Sequence, residues 1–418
     1  MKYSGINPCV HITTFEIIML SDLKICIIGL GYIGLPSAAL LANRGYQVQG
    51  VDVSPEVVST INQGNIHIVE PDLDSFVHSA VNSGRLKASL EPESADVFIL
   101  AVPTPFHEGF VPNIDYALAA TRSIAPVVKA GDLVILESTS PVGTTEKVAN
   151  TLHEAGVKTS SIYIAHCPER VLPGHIMREL VENDRIVGGI TPEASEKVGA
   201  FYRTFVIGEV LVTDARTAEM AKLTENSFRD VNIAFANELS LLSDKFGIDV
   251  WELIRLANRH PRVNILQPGT GVGGHCIAVD PWFIVHEGGN DARLIRAGRE
   301  VNTRKTEWVV EKIKAKVAHF GEEHGRMPVV ACMGLAFKPN IDDLRESPAL
   351  WVFQQLVAAD IQPMAVEPNL KTHASISLTA WQDAAANADI VVYMVAHREF
   401  QKLKVKGYVL DFCGVAQA

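Results

Sequence analysis

The chain has 418 residues, of which 47% are hydrophobic and 20% charged, so it can fill the cores of two or three domains. Its formal charge of −11 excludes broad binding to nucleic acid or to an anionic membrane surface, because both need a basic face. No run approaches the ~20 apolar residues of a membrane-spanning helix. The histidines show no metal-ligand spacing, so we predict no metal site.

Residues 1 to 22 precede the first clear strand, and polar residues interrupt their apolar run from Ile12 to Leu20. This run is a poor core for a signal peptide. We interpret the segment as a disordered extension or as a start codon placed too early, since Met19 stands just before the strand. The six cysteines form no disulfide framework in a chain of this length and fit a reducing cytoplasm.

Short apolar runs alternate with helical patterns through the first half of the chain, which predicts a parallel sheet flanked by helices. The predicted strands are Lys24–Ile28, Gln47–Val51, Val97–Val102, Leu133–Glu137, Ile162–Ala165 and Ile186–Val187. Proline and glycine follow most of these strands. Because ligands bind beyond the carboxyl ends of strands in open α/β sheets, we expect the chemistry in these loops.

From about Asp214 to Asn258, apolar residues recur at helical spacing with no strand signal, which predicts a long helix followed by a shorter one. The last third returns to strands at Val329–Met333, Pro363–Val366, Ile390–Val395 and Tyr408–Asp411. The predicted fold is α/β, with two Rossmann-like doubly wound domains joined by a central helical segment. The predicted boundaries are 23–212 for the first domain, 213–305 for the helical and dimerisation region, and 306–418 for the last domain.

The first motif is Gly29-Leu30-Gly31-Tyr32-Ile33-Gly34, a G-x-G-x-x-G directly after a strand. The glycines permit a tight turn, close approach of a pyrophosphate and close helix–strand packing. Asp52 closes the second strand, where a carboxylate can bind both ribose hydroxyls. Valine and serine follow Asp52 rather than arginine, so we predict NAD rather than NADP; the alternative is a merely tight strand–helix turn.

The second motif is the glycine-rich stretch Pro268–Cys276, which is followed by Asp280. So many glycines are costly in chain entropy unless the backbone must pass close to a ligand. A cysteine at the end of such a loop, entering a helix, can have a lowered pKa and act as a nucleophile. The alternative is a buried cysteine beside a flexible turn.

The third motif is Lys222, Asn226 and Arg229 on the predicted long helix. Lys222 and Asn226 are four residues apart and share a face, where an ammonium and an amide together can stabilise an oxyanion. From the pattern alone, a solvated surface pair is the favoured interpretation. The absence of any Tyr-x-x-x-Lys counts against short-chain dehydrogenases.

Three runs together resemble the UDP-glucose/GDP-mannose dehydrogenase family over nearly the whole chain from about Leu23. They are "KLTENSFRDVNIAFANELSL", "LANRHPRVNILQPGTGVGGHCIAVDPWFIV" and "GLAFKPNIDDLRESPA". The resemblance implies a four-electron oxidation that uses two NAD molecules in succession. It also implies at least a homodimer.

The resemblance further implies roles for individual residues. Cys276 would carry a thiohemiacetal and then a thioester, with Lys222, Asn226, Asp280, Thr139 and Glu169 as the other catalytic residues. The expected cofactor contacts are Gly29, Gly31, Tyr32, Ile33, Gly34, Asp52, Thr104, Thr139 and, across the domain interface, Arg345. The expected contacts to the nucleotide sugar are Arg170, Val171, Lys222, Asn226, Arg229, His260, Arg262, Gly273, Phe337 and Lys338.

Two departures from the family pattern bear on the substrate. His275 precedes the cysteine where UDP-glucose and GDP-mannose members usually have serine, and Pro173 stands where many UDP-glucose members have a second glutamate. Both departures favour an N-acetylated hexosamine, with UDP-N-acetyl-D-mannosamine as the predicted substrate. UDP-N-acetylglucosamine and UDP-glucose stay open, as does a nucleotide-sugar-binding protein without turnover.

Overall fold

The structure is a computed structural model that describes residues 23–274 and 276–417. The predicted N-terminal extension and His275 therefore lie outside the described residues. The chain divides into two compact units, of which the first ends at Lys222 and the second begins at Leu223. Among the described residues, no helix is both long enough and apolar enough to cross a membrane.

The first unit contains an eight-stranded sheet with the order β10-β9-β8-β7-β4-β1-β2-β3. Its strands are β1 Lys24–Ile28, β2 Gln47–Val51, β3 Leu86–Ser89, β4 Val97–Leu100, β7 Leu133–Leu136, β8 Tyr163–His166, β9 Arg185–Gly189 and β10 Val210–Asp214. A separate hairpin is formed by β5 Phe106–His107 and β6 Val111–Pro112. The helices are α1 Gly34–Asn43, α2 Pro55–Asn62, α3 Leu73–Asn82, α4 Asp115–Ile124, α5 Thr144–Glu154, α6 Ile176–Glu182 and α7 Pro192–Tyr202.

Helices cover both faces of this sheet, which explains why its central strands are apolar throughout. In β1, Ile25 and Ile27 pack into one core, whereas Cys26 and Ile28 pack into the core on the opposite face. A strand buried on both faces reads as a continuous apolar run rather than as an alternating one.

The structure confirms the predicted α/β fold, and β1 and β2 have the predicted bounds. Sequence analysis missed β3 and β10, which are the two edge strands and have partly exposed, mixed sequences. It also missed that β9 runs antiparallel to β8 in a sheet that is otherwise parallel. A strand's direction depends on the path of its connection, which apolar periodicity does not encode.

The second unit contains a parallel four-stranded sheet with the order β12-β11-β13-β14. Its strands are β11 Val330–Met333, β12 Met364–Val366, β13 Ile390–Tyr393 and β14 Tyr408–Asp411. The helix α8, Ala215–Phe246, begins in the first unit and continues into the second. The remaining helices are α9 Val250–Ala257, α10 Asp280–Gly288, α11 Arg293–His324, α12 Pro348–Ala358 and α13 Trp381–Asn387.

The helices α8 and α9 are the predicted long helix and its shorter successor. Asp249 ends the linker between them and caps α9, because its carboxylate accepts hydrogen bonds from the backbone N–H groups of Trp251 and Glu252. The predicted boundary at 305/306 falls inside α11, which runs unbroken through it.

Candidate active site

The loop between β1 and α1 contains the three glycines of the first motif, and each has a different environment. Gly29 has a φ of +93°, and a Cβ there would lie 2.6 Å from the carbonyl oxygen of Ala101. A Cβ on Gly34 would overlap the carbonyl oxygen of Gly29, so this glycine brings α1 close to the strand. A Cβ on Gly31 would meet no atom within 4 Å. The open side of the loop is therefore at Gly31, where the pattern predicts the pyrophosphate.

Asp52 follows β2 at the same edge of the sheet. One carboxylate oxygen accepts a hydrogen bond of 3.0 Å from the backbone N–H of Leu30, and the other accepts one of 3.0 Å from that of Ser54. Each carboxylate oxygen can accept a second hydrogen bond. Asp52 is thus fixed against the glycine loop with capacity left for ribose hydroxyls, so these residues fit NAD.

The loops after β4 and β7 meet at this edge because the two strands are paired. The hydroxyl of Thr104 donates a hydrogen bond to the backbone carbonyl of Thr139, and both side chains are half-buried. The structure therefore brings together two predicted cofactor residues that lie far apart in the sequence.

Glu169 follows β8, and its carboxylate points into the first unit. One oxygen accepts a hydrogen bond of 2.6 Å from the backbone N–H of Arg170, and the other forms a buried ion pair with Arg185. Arg185 is 1% exposed and also donates to the backbone carbonyl of Leu180. Both carboxylate oxygens of Glu169 are thus engaged inside the unit, where they hold the 167–170 loop.

The Arg185 pair belongs to a larger buried cluster with Glu137 at the end of β7 and Tyr202 on α7. The hydroxyl of Tyr202 lies 3.1 Å from Glu137 Oε1. Burial raises the pKa of Glu137 to about 7, and the nearby Glu169 carboxylate adds to the increase. Sequence analysis missed this cluster, and its only signal is a charged residue, Arg185, at the start of an apolar strand.

Lys222 lies on α8, is half-buried and is the last residue of the first unit. It is close enough to His166, the last residue of β8, for its ammonium to affect that imidazole. Burial lowers the pKa of His166 to about 3, and the Lys222 charge acts in the same direction. A neutral imidazole therefore lies beside the predicted catalytic lysine.

In the second unit, the structure joins two predicted catalytic residues directly. The side-chain amide of Asn226 on α8 donates a hydrogen bond to the carboxylate of Asp280, the first residue of α10. Cys276 is exposed and lies one turn before that helix, because its carbonyl oxygen accepts a 2.8 Å hydrogen bond from the N–H of Asp280. The cysteine is therefore not buried, and it lies near a helix N-terminus, where a thiolate is stabilised.

The glycines before Cys276 pack against other parts of the protein. The sequence predicted that they allow the backbone to pass close to a ligand, so their role in packing is an addition to that prediction. A Cβ on Gly273 would lie 2.3 Å from the carbonyl oxygen of Glu346, and one on Gly274 would lie 2.9 Å from the ring of Phe337. This packing brings two predicted sugar contacts, Gly273 and Phe337, together. It fixes the loop against the segment that leads into α12.

A buried polar network holds the beginning of the same loop. The backbone N–H of Gly269 donates to Asn237 Oδ1 on α8, and the amide of Asn237 donates to Asn302 on α11. Asn302 in turn donates to Asp230, which also pairs with Arg299 at 2.7 Å. The network ties the Cys276 loop to both long helices of this unit.

The other predicted sugar contacts are more dispersed. Arg229, His260 and Arg262 are exposed, and the last two lie on a loop that Asn258 closes through two hydrogen bonds with the backbone of Ile265. Lys338 lies 5.7 Å from the ring centroid of Phe337. In the first unit, Val171 and Arg170 are half-buried beside Glu169. Arg345 is exposed and pairs with Asp343.

Comparison with known families assigns most of the described chain. Residues 23–206 match the NAD binding domain of the UDP-glucose/GDP-mannose dehydrogenase family, residues 216–304 match its central domain, and residues 331–416 match its UDP binding domain.

Curated relatives are similar over almost their full length. The chain is 55% identical to the UDP-N-acetyl-D-mannosamine dehydrogenase of Campylobacter jejuni, over 93% of this chain and 99% of that protein. It is 56% identical to the NDP-N-acetyl-D-galactosaminuronic acid dehydrogenase of Ralstonia nicotianae, over 91% and 92%.

Solved structures agree with this assignment. The UDP-D-ManNAc dehydrogenase of Pyrococcus horikoshii superimposes with a TM-score of 0.85 at 38% identity, covering 94% of this chain and 96% of that one. The UDP-N-acetyl-mannosamine dehydrogenase of Staphylococcus aureus gives 0.84 at 40% identity, covering 94% and 95%. The chain therefore belongs to the UDP-glucose/GDP-mannose dehydrogenase family of NAD-dependent oxidoreductases.

Proposed function

We propose that this enzyme oxidises the C6 alcohol of UDP-N-acetyl-D-mannosamine to a carboxylate in two NAD-dependent steps. The observation that carries the proposal is the exposed Cys276 beside the Asn226–Asp280 pair, in a chain of this family. The mannosamine substrate is supported by the relatives and solved structures that have this name. The product, a nucleotide-linked uronate, suits bacterial surface polysaccharide synthesis.

The proposed chemistry assigns one covalent role to the protein. NAD+, when bound, accepts a hydride in each of the two oxidations. Between them, the Cys276 thiolate attacks the C6 aldehyde and forms a C–S bond, which gives a thiohemiacetal. Loss of the second hydride leaves a thioester, and water then breaks the C–S bond to release the carboxylate and the thiol. The tether holds C6 in place while the spent cofactor is exchanged.

The remaining proposed catalytic roles follow from charge and hydrogen bonding. Lys222 exchanges the proton of the C6 oxygen and stabilises the oxyanion, with the amide of Asn226 as a second donor. Asp280 orients Asn226 through their hydrogen bond. Thr139 and Glu169 are proposed to position water. Because the Glu169 carboxylate is engaged with Arg185, its proposed role acts through the backbone of its loop.

The ligand contacts expected from the sequence are also part of the proposal. The cofactor contacts are Gly29, Gly31, Tyr32, Ile33, Gly34, Asp52, Thr104, Thr139 and Arg345. The sugar-nucleotide contacts are Arg170, Val171, Lys222, Asn226, Arg229, His260, Arg262, Gly273, Phe337 and Lys338.

A second candidate substrate is the corresponding N-acetylgalactosamine nucleotide. It is favoured by the Ralstonia relative, whose 56% identity is one percentage point above that of the Campylobacter mannosamine enzyme. Both sugars have an acetamido group, so one pocket can discriminate between them only through the orientation of ring substituents.

The deciding measurement is the number of NADH molecules formed per sugar consumed. The panel contains the UDP-linked forms of N-acetylmannosamine, N-acetylgalactosamine, N-acetylglucosamine and glucose. We expect two NADH per sugar, with the highest kcat/KM for the mannosamine compound. Two NADH with a different preferred sugar would keep the mechanism and change the substrate. No NADH with any sugar would favour a binding protein without turnover.

The covalent step is tested with Cys276→Ser, with Cys413→Ser as the matched control in the same unit. We expect the first variant to lose carboxylate formation by at least about 10³-fold, since a hydroxyl is a far weaker nucleophile, and to bind the sugar nucleotide normally. The control should retain activity. Unchanged carboxylate formation in Cys276→Ser would exclude the thioester.

We also propose a homodimer that forms through the exposed face of α8. Phe228, Phe235 and Leu242 are spaced seven residues apart on this helix and are 70%, 52% and 42% exposed. Apolar residues at this spacing form the seam of paired helices. A cytoplasmic location is proposed because Cys26, Cys167 and Cys332 are buried thiols, which fit a reducing compartment.

A further inference from the structure

The second unit contains a cleft of about 310 Å³ to which neither the family resemblance nor the proposed mechanism assigns a ligand. It lies between the end of α8, the start of α9, the middle of α11 and strand β14. None of its lining residues is among the predicted catalytic, cofactor or sugar contacts. Its lining includes Ser243, Asp244, Lys305, Trp308, Lys312 and Phe412.

The cleft contains a buried amine above an aromatic wall. Lys305 is 2% exposed, and its Nζ lies 4.1 Å from the ring centroid of Trp308 and 5.7 Å from that of Phe412. The Nζ of Lys305 donates one hydrogen bond of 2.7 Å, to the hydroxyl of Ser240. An ammonium has three donors, so Lys305 has unused donor capacity beside the cavity.

A second polar group in the cleft has no partner. Ser243 is 3% exposed, and its Oγ forms no hydrogen bond with any described residue. A buried hydroxyl without a partner is destabilising, so it is a position where a ligand atom is favoured. Lys312 supplies a further ammonium, which pairs with Asp244 at 2.5 Å and lies 5.3 Å from Trp308.

The cleft also contains three carboxylates, and each of them has a cation or backbone N–H groups as partners. Asp244 pairs with Lys312, and Asp249 caps α9. Asp411 accepts hydrogen bonds from the backbone N–H groups of Cys413, Gly414 and Ala416. Lys305, in contrast, is a buried amine that forms no ion pair among the described residues, so an anion is favoured beside it and beside the hydroxyl of Ser243.

We propose that this cleft binds a small organic anion, whose carboxylate or phosphate lies against Lys305 and Ser243 and whose flat apolar body lies against Trp308. The volume is at the lower end of the range for small-molecule sites. Two indoles, Trp251 and Trp308, and the ring of Phe412 line it and provide the apolar contacts.

The protonation of Lys305 makes the proposed site sensitive to pH. Burial lowers the pKa of Lys305 to about 7, although Asp244 acts in the opposite direction. An anion favours the charged amine, so binding above neutral pH must take up a proton. Its affinity therefore falls as the pH rises above the pKa of the empty site.

The test is calorimetric titration of the whole protein with phenylacetate, phenyl phosphate, inorganic phosphate and the neutral phenylacetamide. We expect the two aromatic anions to bind at least about tenfold more tightly than phenylacetamide or inorganic phosphate, because only they have both the charge and the flat body. A preference between carboxylate and phosphate identifies the head group. Affinity should fall about tenfold or more between about pH 6 and about pH 8.5.

The variants are Lys305→Met, Ser243→Ala and, as the matched control, Lys314→Met, which changes an exposed lysine of the same helix. The first should weaken phenylacetate binding about tenfold or more, the second severalfold, and the control not at all. Ser243→Ala keeps the test valid if Lys305→Met does not fold. Saturating UDP should leave phenylacetate binding unchanged. Three results would each overturn the proposal. They are no binding of either aromatic anion, binding of phenylacetate by Lys305→Met and Ser243→Ala as tightly as by the parent, and displacement of phenylacetate by UDP.

Discussion

At the scale of single residues, the first unit contains an ionisable group that its fold stabilises in the neutral form. Glu137 is completely buried, and only one of its carboxylate oxygens has a hydrogen-bond partner, the hydroxyl of Tyr202. Arg185 is nearby, but its guanidinium is paired with Glu169. Because the Arg185 charge is already paired with Glu169, it stabilises an ionised Glu137 only weakly. Ionisation of Glu137 therefore destabilises the folded state.

We predict that Glu137 makes the protein less stable as the pH rises. Its pKa is raised from 4.5 to about 7, so between these values the folded state binds more protons than the unfolded state, and stability falls with rising pH. Glu137→Gln removes this dependence. From about pH 5 to about pH 8, the free energy of unfolding of the variant should rise by about 1–3 kcal/mol relative to that of the parent.

The measurement is the urea midpoint of unfolding at both pH values, for the parent, Glu137→Gln and Glu154→Gln. Glu154 is an exposed glutamate on α5, so its variant should follow the parent. If the glutamine also changes the packing around it, that effect on stability is the same at both pH values. It therefore cancels when the two measurements on Glu137→Gln are compared. An identical pH dependence in Glu137→Gln and the parent would show that Glu137 is ionised throughout.

Sequence analysis identified the residues whose type is dictated by local backbone geometry, and it missed those whose role depends on a distant partner. Gly34 could be assigned from the motif because a Cβ there would overlap the carbonyl oxygen of Gly29 within the same strand–turn–helix unit. Gly29 could be assigned because the tight turn gives it a φ of +93°, which favours glycine. Arg185 could not be assigned, since its partner Glu169 lies in the loop after a different strand, β8. Nothing in either local sequence indicates that pairing.

At the scale of elements, α5 has an N-terminal cap that comes from another helix. Gly143, the residue before α5, has a φ of +90° and provides no side chain for capping. The carboxylate of Glu219 on α8 replaces it, accepting hydrogen bonds from the N–H groups of Gly143 and Thr145 and from the hydroxyl of Thr145. Burial raises the pKa of Glu219, but these hydrogen bonds oppose the increase.

We predict that Glu219→Ala lowers the stability of the first unit by about 1–3 kcal/mol, because it leaves buried N–H groups without an acceptor. Glu219→Gln retains one acceptor oxygen and should lose less. The control is Arg216→Ala, also on α8, which removes an exposed ion pair between α8 and Glu146 of α5 and should leave the unfolding midpoint unchanged. Equal midpoints for Glu219→Ala and Arg216→Ala would refute the cap.

The prediction of elements succeeded where burial imposes a clear period. The strand β1 and the helix α8 were predicted closely because the strand is apolar from Ile25 to Ile28 and the helix has apolar residues at helical spacing. The edge strand β10 was missed because Leu211, Val212 and Asp214 are partly or largely exposed, which leaves a short mixed sequence. Edge strands receive less packing and therefore a weaker pattern.

At the scale of the whole molecule, α8 has two different apolar surfaces. One is buried in its own chain and includes Leu223 and Ala234, which lie about three turns apart on one face. The other is the Phe228–Phe235–Leu242 stripe, which is exposed in the described part of the chain. Helical periodicity in the sequence cannot separate the two, because core packing and partner packing use the same residue types.

We predict that Phe235→Glu converts the protein from a dimer to a monomer. A carboxylate at the centre of the stripe would lose its hydration in a paired interface, where it has no cation to compensate. Light scattering should give twice 45.5 kDa for the parent and 45.5 kDa for the variant. The control is Leu294→Glu, which places the same charge at an apolar position that is 69% exposed on α11 and outside the stripe, and it should remain dimeric. A dimeric Phe235→Glu, or a monomeric parent, would show that this stripe does not join two copies of the chain.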